Sequence, residues 1–298
     1  MALSAAQLAA FHHDGYLLLP DAFSPAEVAA MRTEVASMAQ LTLAATAHHG
    51  WASGRAGLGR NDRGETVLLK LQPYLEMSLL LQRVAADELR VVGPLRQIMG
   101  DEPVLMPEKS KINYKQAMDD VPLVAARRDA RAPKETGGSR GSVERAGPAD
   151  FGRFPIHNDY AYYRSQRCPP SALSSCIVLD DCTAEKGPLR MWAGTHRSHL
   201  EHEPHPLGLH VKDGLGVDLD GGSDVLARAG SFIIFSVKTL HNSRPNTTRD
   251  PRRLVLFAHA PRQEMEPQVH PGNASLLISA GAHELAYLRA RSASAPRL

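Results

Sequence analysis

Phe154-Pro155-Ile156-His157-Asn158-Asp159-Tyr160-Ala161-Tyr162 is the stretch that decides how this chain is understood. Its core is His-x-Asp. In an extended strand, residues two apart share a face, so the His157 imidazole and the Asp159 carboxylate can reach one point in space. Nitrogen and oxygen donors meeting at a point suit a divalent first-row metal. Two histidines and one carboxylate, with open positions left over, form the ligand set of non-haem Fe(II) oxygenases. The rest of the chain has to supply a second histidine.

On either side of this stretch the sequence reads as strands. Lys111-Ile-Asn-Tyr-Lys115 closes an alternating run from Val104, which would place Lys109, Lys111, Asn113 and Lys115 on one face. Those lysines would either guard an exposed edge or line a pocket for an anionic ligand. Ser174 to Leu179, Gly187 to Trp192, Gly230 to Phe235 and Arg253 to His259 are further strands, joined by turns. Regularly spaced strands over 104–259 argue a β-sandwich or barrel. His241 closely follows the apolar strand that ends at Phe235, and Arg252 stands eleven residues beyond it, with Ser243 and Asn246 between. In such a barrel His241 is the natural third ligand. A bidentate arginine is the group of choice for a planar carboxylate. His199, His202, His205 and His210 have irregular spacing among Glu and Pro, and are expected in a solvated loop.

Before residue 100 the pattern is mainly helical. Ser4 with Gln7, and Ser24-Pro25 with Glu27, are helix starts. The second helix carries Val28, Met31, Val35 and Met38 and is expected to run to about Gln40. Tyr16–Leu19 and Thr66–Leu71 are strand-like. Residues 48–64 are expected to be loop, and Glu76 to Met99 one or two helices stopping at Gly100. The stretch 119–150 is polar, Gly-rich and basic, and reads either as disordered or as a lid whose arginines (Arg127, Arg128, Arg131, Arg140) meet substrate anions. One helix is expected over 282–291.

The 298 residues, 43% hydrophobic and 22% charged, fit one domain: a helical part over about 1–100, a β core over about 104–262 and the basic insert. A net charge of +2 argues against nucleic acid or an acidic membrane surface as partner. No apolar run approaches the ~20 residues of a membrane span, and no leader is expected. Cys168, Cys176 and Cys182 match neither a zinc nor a redox pattern and are expected as reduced thiols of a cytoplasmic protein.

These motifs together resemble the phytanoyl-CoA dioxygenase superfamily of Fe(II)- and 2-oxoglutarate-dependent oxygenases, over roughly residues 5–262. Phe11-x-x-Asp14-Gly15-Tyr16 resembles the family's opening, and Lys111 to Lys115 the strand that contributes to the 2-oxoglutarate pocket in ectoine-hydroxylase-like members. Gly187-x-Leu189 and Gly194-Thr-His196 resemble a further conserved segment, with Ala193 where Pro is usual. The resemblance implies a double-stranded β-helix (a cupin-like jelly roll) with the N-terminal helices packed outside. It implies that His157, Asp159 and His241 hold Fe(II). Arg252, helped by Ser243, would take the far carboxylate of 2-oxoglutarate, with Asn113 and Lys109 as further cofactor contacts. The implied reaction consumes O2 and 2-oxoglutarate, releases succinate and CO2, and hydroxylates an unactivated C–H of a small, polar metabolite of the secondary-metabolism kind. Ring closure or desaturation by the same cofactors is the alternative outcome. A cupin-like metal-dependent binding protein is the alternative of another class. Asp159 favours hydroxylation over halogenation, since family halogenases carry a small residue there. Tyr160, Tyr162, Tyr163, Trp192 and Lys111 are candidates to touch substrate, and a monomer or homodimer is expected.

Overall fold

The computed structural model describes residues 2–50, 54–60, 65–115, 154–166, 168–205, 208–265 and 278–279. In chain order the elements are α1 (Ala5–Asp14), β1 (Tyr16–Leu19), α2 (Pro25–His49), β2 (Ala56–Arg60), β3 (Thr66–Leu71), α3 (Leu79–Ala85), α4 (Gly93–Met99), β4 (Pro103–Leu105) and β5 (Lys111–Lys115). There follow β6 (Phe154–His157), α5 (Asp159–Tyr163), β7 (Leu173–Val178), β8 (Leu189–Met191), β9 (His202–His205), β10 (Gly208–Val211) and β11 (Ser223–Val225). The last are β12 (Phe232–Ser236), β13 (His241–Ser243), β14 (Arg252–Pro261), α6 (Arg262–Met265) and β15 (Ile278–Ser279).

The large antiparallel sheet runs β1-β12-β7-β14-β5-β3-β2, with β4 and β15 off its path. The second is β11-β8-β13-β6, and β9-β10 is a separate hairpin. Strand alternation gives the large sheet two faces. Its inner residues Cys176, Val178, Ile233, Phe235, Leu254 and Leu256 pack on Leu189, Met191 and Val225 of the second sheet. Its outer residues Ile177, Val255, Phe257 and Ile112 pack on Val28, Met31, Val35 and Met38 of α2. This is the jelly roll with helices outside that the sequence led us to expect.

Both N-terminal helices start where their caps predict, each with a reciprocal capping box. Four stretches differ from expectation. Helix α2 passes Gln40 and ends at His49, capped by Gly50 at φ 70°. Residues 48–64, expected as loop, hold the end of α2 and the strand β2. The run from Val104 to Lys115 is not one strand: Pro107 cannot donate to a ladder, and a helical turn at Pro107–Lys109 separates β4 from β5. Residues 199–210 are likewise not all loop, since β9 and β10 form a hairpin there. Glu76 to Met99 is helical in pieces and stops at Gly100, as expected. The insert 119–150 and the expected helix at 282–291 lie outside the described residues. Among the described residues no helix is long and apolar enough to cross a membrane.

Candidate active site

β6 ends at His157. Asn158 is still extended (φ −116°, ψ 151°), and its side chain accepts from the Ala161 N–H at 2.9 Å, so it caps α5. Asp159 is the first residue of that helix. The expectation of one strand carrying both residues is thus corrected, because the Asn158 cap turns the chain. The two side chains still converge, since residues 157 and 158 are both extended.

His241 opens β13 directly opposite His157, with ring centroids 4.5 Å apart. One ligand atom each from His157, Asp159 and His241 lie within 4.8 Å of one another, and all three residues are buried. Nδ1 of His157 lies 2.7 Å from Pro155 O, and Nδ1 of His241 lies 3.0 Å from Thr239 O. Donation of each Nδ1–H to a carbonyl puts the lone pair on Nε2, aimed at the common point. Burial, with the neighbouring His241, pushes the His157 pKa down to about 3, and burial lowers that of His241. Both imidazoles are therefore neutral, the form that binds metal. Burial alone would raise the Asp159 pKa. The Lys111 ammonium, with the Ser174 hydroxyl, outweighs it and holds the carboxylate ionised, well below its usual range. Lys111 Nζ is 3.1 Å from Oδ1, and Ser174 Oγ donates to Oδ2 at 2.5 Å.

Along the same barrel interior Arg252 is 2% exposed. Its Nη2 donates to Gly187 O at 2.8 Å, while its Nε has no hydrogen-bond partner among the described residues. Gly187 has φ 66°, and a Cβ there would collide with the Arg244 carbonyl, so glycine is required for this close approach. Lys115 stands across from Arg252 in the β5–β14 pair, and its ammonium donates to Ser243 Oγ at 2.8 Å and to Arg244 O. Burial and the Arg252 charge hold the Lys115 pKa well below its usual value. Among the described residues no carboxylate pairs with Arg252, Lys115 or Ser243, and this desolvated set of donors forms a receptor for one.

The other expected site residues are distributed as follows. Lys111 reaches Asp159, and Asn113 lies half-buried between Lys111 and Lys115 on the same face. Lys109 turns to Gln166 and lies over the Tyr163 ring at 5.4 Å. Tyr162 packs edge-on against His157 (5.4 Å) and accepts from Leu209 N–H at 2.7 Å. Tyr160 meets His199 edge-on at 5.3 Å. Trp192 is buried among Leu200, Val211 and Leu240, its indole N–H on Asp218 O at 2.9 Å, which is a packing environment. Asn246 spans Asp250 O and Lys115 O and orders the turn leading to Arg252.

Several contributors escaped the sequence reading. Ser174 was legible only as a polar residue on the inner face of an apolar strand. Thr239, whose carbonyl holds His241, donates its own hydroxyl to Gly15 O at 2.8 Å, so the opening Asp-Gly-Tyr motif braces the second histidine. His202, placed in a loop by its irregular surroundings, accepts the Asn158 N–H at 3.1 Å through Nε2.

The family model described as "Phytanoyl-CoA dioxygenase (PhyH)" matches residues 11–254. The ectoine dioxygenase of Halomonas elongata is 26% identical over 274 residues, covering 86% of this chain and 70% of that protein. Among solved structures, EctD from S. alaskensis with 2-oxoglutarate and 5-hydroxyectoine superposes with a TM-score of 0.63 at 22% identity, covering 88% of this chain and 77% of that one. The α-ketoglutarate-dependent epimerase SnoN from nogalamycin biosynthesis shares the fold at a TM-score of 0.54 and 16% identity, covering 86% and 82%.

Proposed function

The chain belongs to the phytanoyl-CoA dioxygenase family, and from that premise we propose the roles its residues take. It is an Fe(II)- and 2-oxoglutarate-dependent oxygenase that hydroxylates a small polar compound, with release of succinate and CO2. The observation that carries the assignment is the buried triad with ligand atoms within 4.8 Å of one another. The donor set fits ferrous iron, and the Arg252 Nε, without a hydrogen-bond partner among the described residues, fits a carboxylate.

When bound, iron and 2-oxoglutarate supply the oxidative decarboxylation of 2-oxoglutarate by O2 that drives C–H oxidation. His157, Asp159 and His241 would hold the metal. Arg252, Lys115 and Ser243 would receive the distal carboxylate of 2-oxoglutarate, with Asn113 on the same face of the sheet. Lys111 and Ser174 keep Asp159 ionised and oriented. The aromatic edge of Tyr162 on His157, and Phe235 against His241 at 5.1 Å, fix the two rings and keep water from them. O2 is the co-substrate, and the three buried, free cysteines fit a cytoplasmic protein. Ectoine, named for the relatives, is the first compound to assay.

The test is an anaerobic titration of the metal-free chain with Fe(II) and 2-oxoglutarate. A visible charge-transfer band that disappears in His241→Ala is the expected result. Metal binding without any band would favour a cupin-like binding protein instead.

A further inference from the structure

We propose that Asp180 is the positioning residue of Arg252: it holds the strand end from which this arginine is aimed at the distal carboxylate of 2-oxoglutarate. The proposal rests on the oxygenase reading above. Successive residues of a strand face opposite ways. On β14, Arg252 turns into the barrel with Leu254 and Leu256, and Arg253 turns outward with Val255 and Phe257, toward α2. Tyr114, opposite Arg253, also faces that helix and donates its hydroxyl to Val35 O at 3.1 Å.

Arg252 stands where the sheet runs out on one side. Strand β5 still pairs with it, Lys115 lying opposite. Strand β7 does not, since its ladder with β14 ends at Val178 with Leu254. The next pair in that register is Leu179 with Arg253, and a hydrogen-bonded antiparallel pair exchanges two backbone bonds. One is made, Leu179 N–H to Arg253 O at 3.1 Å. Side chains stand in for the other. The Arg253 N–H donates to Asp180 Oδ2 at 2.8 Å, and the Leu179 carbonyl accepts Arg32 Nε of α2 at 2.7 Å. The same carboxylate accepts Arg253 Nε at 2.8 Å and Nη2 at 2.7 Å, and its Oδ1 lies 3.3 Å from Arg32 Nε. Asp180 is buried, so water competes little for these donors. It also begins the segment that runs to Gly187, whose carbonyl accepts Arg252 Nη2. That segment therefore holds Arg252 twice, at the backbone through the neighbouring Arg253 N–H and at the guanidinium through Gly187 O. Without the carboxylate, the peptide joining Arg252 to Arg253 loses its acceptor and Arg253 its counter-ion. A shift of about 1 Å there is enough to spoil a two-point contact with a carboxylate.

The test titrates the anaerobic, Fe(II)-loaded chain with 2-oxoglutarate and reads the chelate band, beside chelator competition for the metal and a thermal melt. Native chain, Asp180→Asn, Asp180→Ala and Arg252→Ala are compared, and each Asp180 change is also combined with Arg252→Ala. Asp180→Asn keeps the size but turns an amide NH2 toward the arginine donors. It should weaken 2-oxoglutarate about threefold or more, and Asp180→Ala about tenfold or more, with native metal affinity in both. In the Arg252→Ala background neither change should weaken it further, because a residue that acts through Arg252 has nothing left to position. A structural role alone would lower the melt and leave the folded chain's 2-oxoglutarate affinity unchanged. The proposal is overturned if Asp180→Asn loses less than about threefold, if its loss adds to that of Arg252→Ala, or if metal affinity falls with it. Should Asp180→Ala not fold, Asp180→Asn decides alone. No chelate band in the native chain overturns the oxygenase reading and this proposal with it, whereas a native band with native affinity in the Asp180 variants overturns this proposal only.

Discussion

Lys111 and Asp159 form an ion pair inside the barrel, Nζ 3.1 Å from Oδ1, with the carboxylate 2% exposed. In the metal-free chain this ammonium compensates a buried charge that a divalent cation compensates in the loaded one. Breaking such a pair from one side costs about 3–5 kcal/mol, so Lys111→Met should destabilise the metal-free protein by roughly that much at pH 7. The Asp159 pKa is depressed in the fold, so the pair's contribution is full above the unfolded carboxylate pKa of about 3.9 and is lost as pH falls below it. The variant's deficit should therefore shrink toward pH 3. Urea unfolding with and without Mn(II) checks this: the metal should raise the variant's midpoint more than the native one, and equal rises would refute the compensation.

Arg252 is expected to govern 2-oxoglutarate and not the metal. Losing one partner of a buried charged contact costs about 2–5 kcal/mol, so Arg252→Ala should weaken 2-oxoglutarate about a hundredfold. Arg252→Lys should recover little, because a point charge cannot reproduce the planar fork. Competition with a chelator should give the native metal affinity for both. A hundredfold loss of metal affinity would mean that Arg252 supports the triad itself.

What was legible in the sequence was what chemistry demands at short range. His157-x-Asp159 and His241 with Arg252 stand out because a metal and a dicarboxylate need those residue types near each other. The cap boxes at Ser4 and Ser24 are similarly local. Contacts that cross strands were not legible: Lys115 to Ser243 joins β5 to β13, and Gly15 to Thr239 joins the N-terminus to the His241 turn. Nor was β2, where Ala56-Gly-Leu-Gly-Arg60 has little strand propensity and is extended because β3 pairs with it. The end of α2 hid for another reason. Beyond Thr42 it buries no further residue, and Thr42 and Thr46 return their hydroxyls to carbonyls four residues back.

His259 makes a prediction about stability alone. It is fully buried on β14, and neither ring nitrogen has a hydrogen-bond partner among the described residues. Burial lowers its pKa to about 3, so it stays neutral in the fold while the unfolded chain takes up a proton below about pH 6.5. Between those values the unfolded state binds more protons and stability falls as pH falls, by up to about 1.4 kcal/mol per unit. His259→Leu keeps the volume and removes two unsatisfied polar atoms, so it should stabilise by about 1–2 kcal/mol at pH 7 and more at pH 5. Urea midpoints at the two pH values decide it. A variant less stable than the native chain at pH 5 would mean that His259 is satisfied in solution.

His202 links the histidine-rich hairpin to the metal. Its Nδ1 lies 2.8 Å from Leu200 O, and its Nε2 accepts the N–H of Asn158, the residue between two ligands. That bond fixes the peptide plane from which His157 and Asp159 are aimed. Burial, opposed by the Leu200 contact and aided by His199, lowers the His202 pKa to about 4, so Nε2 remains an acceptor at neutral pH. Positioning groups of this kind are worth about ten- to a hundredfold in metal affinity. His202→Ala should fall in that range, and His202→Gln, whose amide oxygen can still accept, should recover much of it. The chelator competition is read beside the thermal melt. A drop in metal affinity with an unchanged melt supports positioning. A drop in both that Gln does not recover would make the hairpin a mere cover.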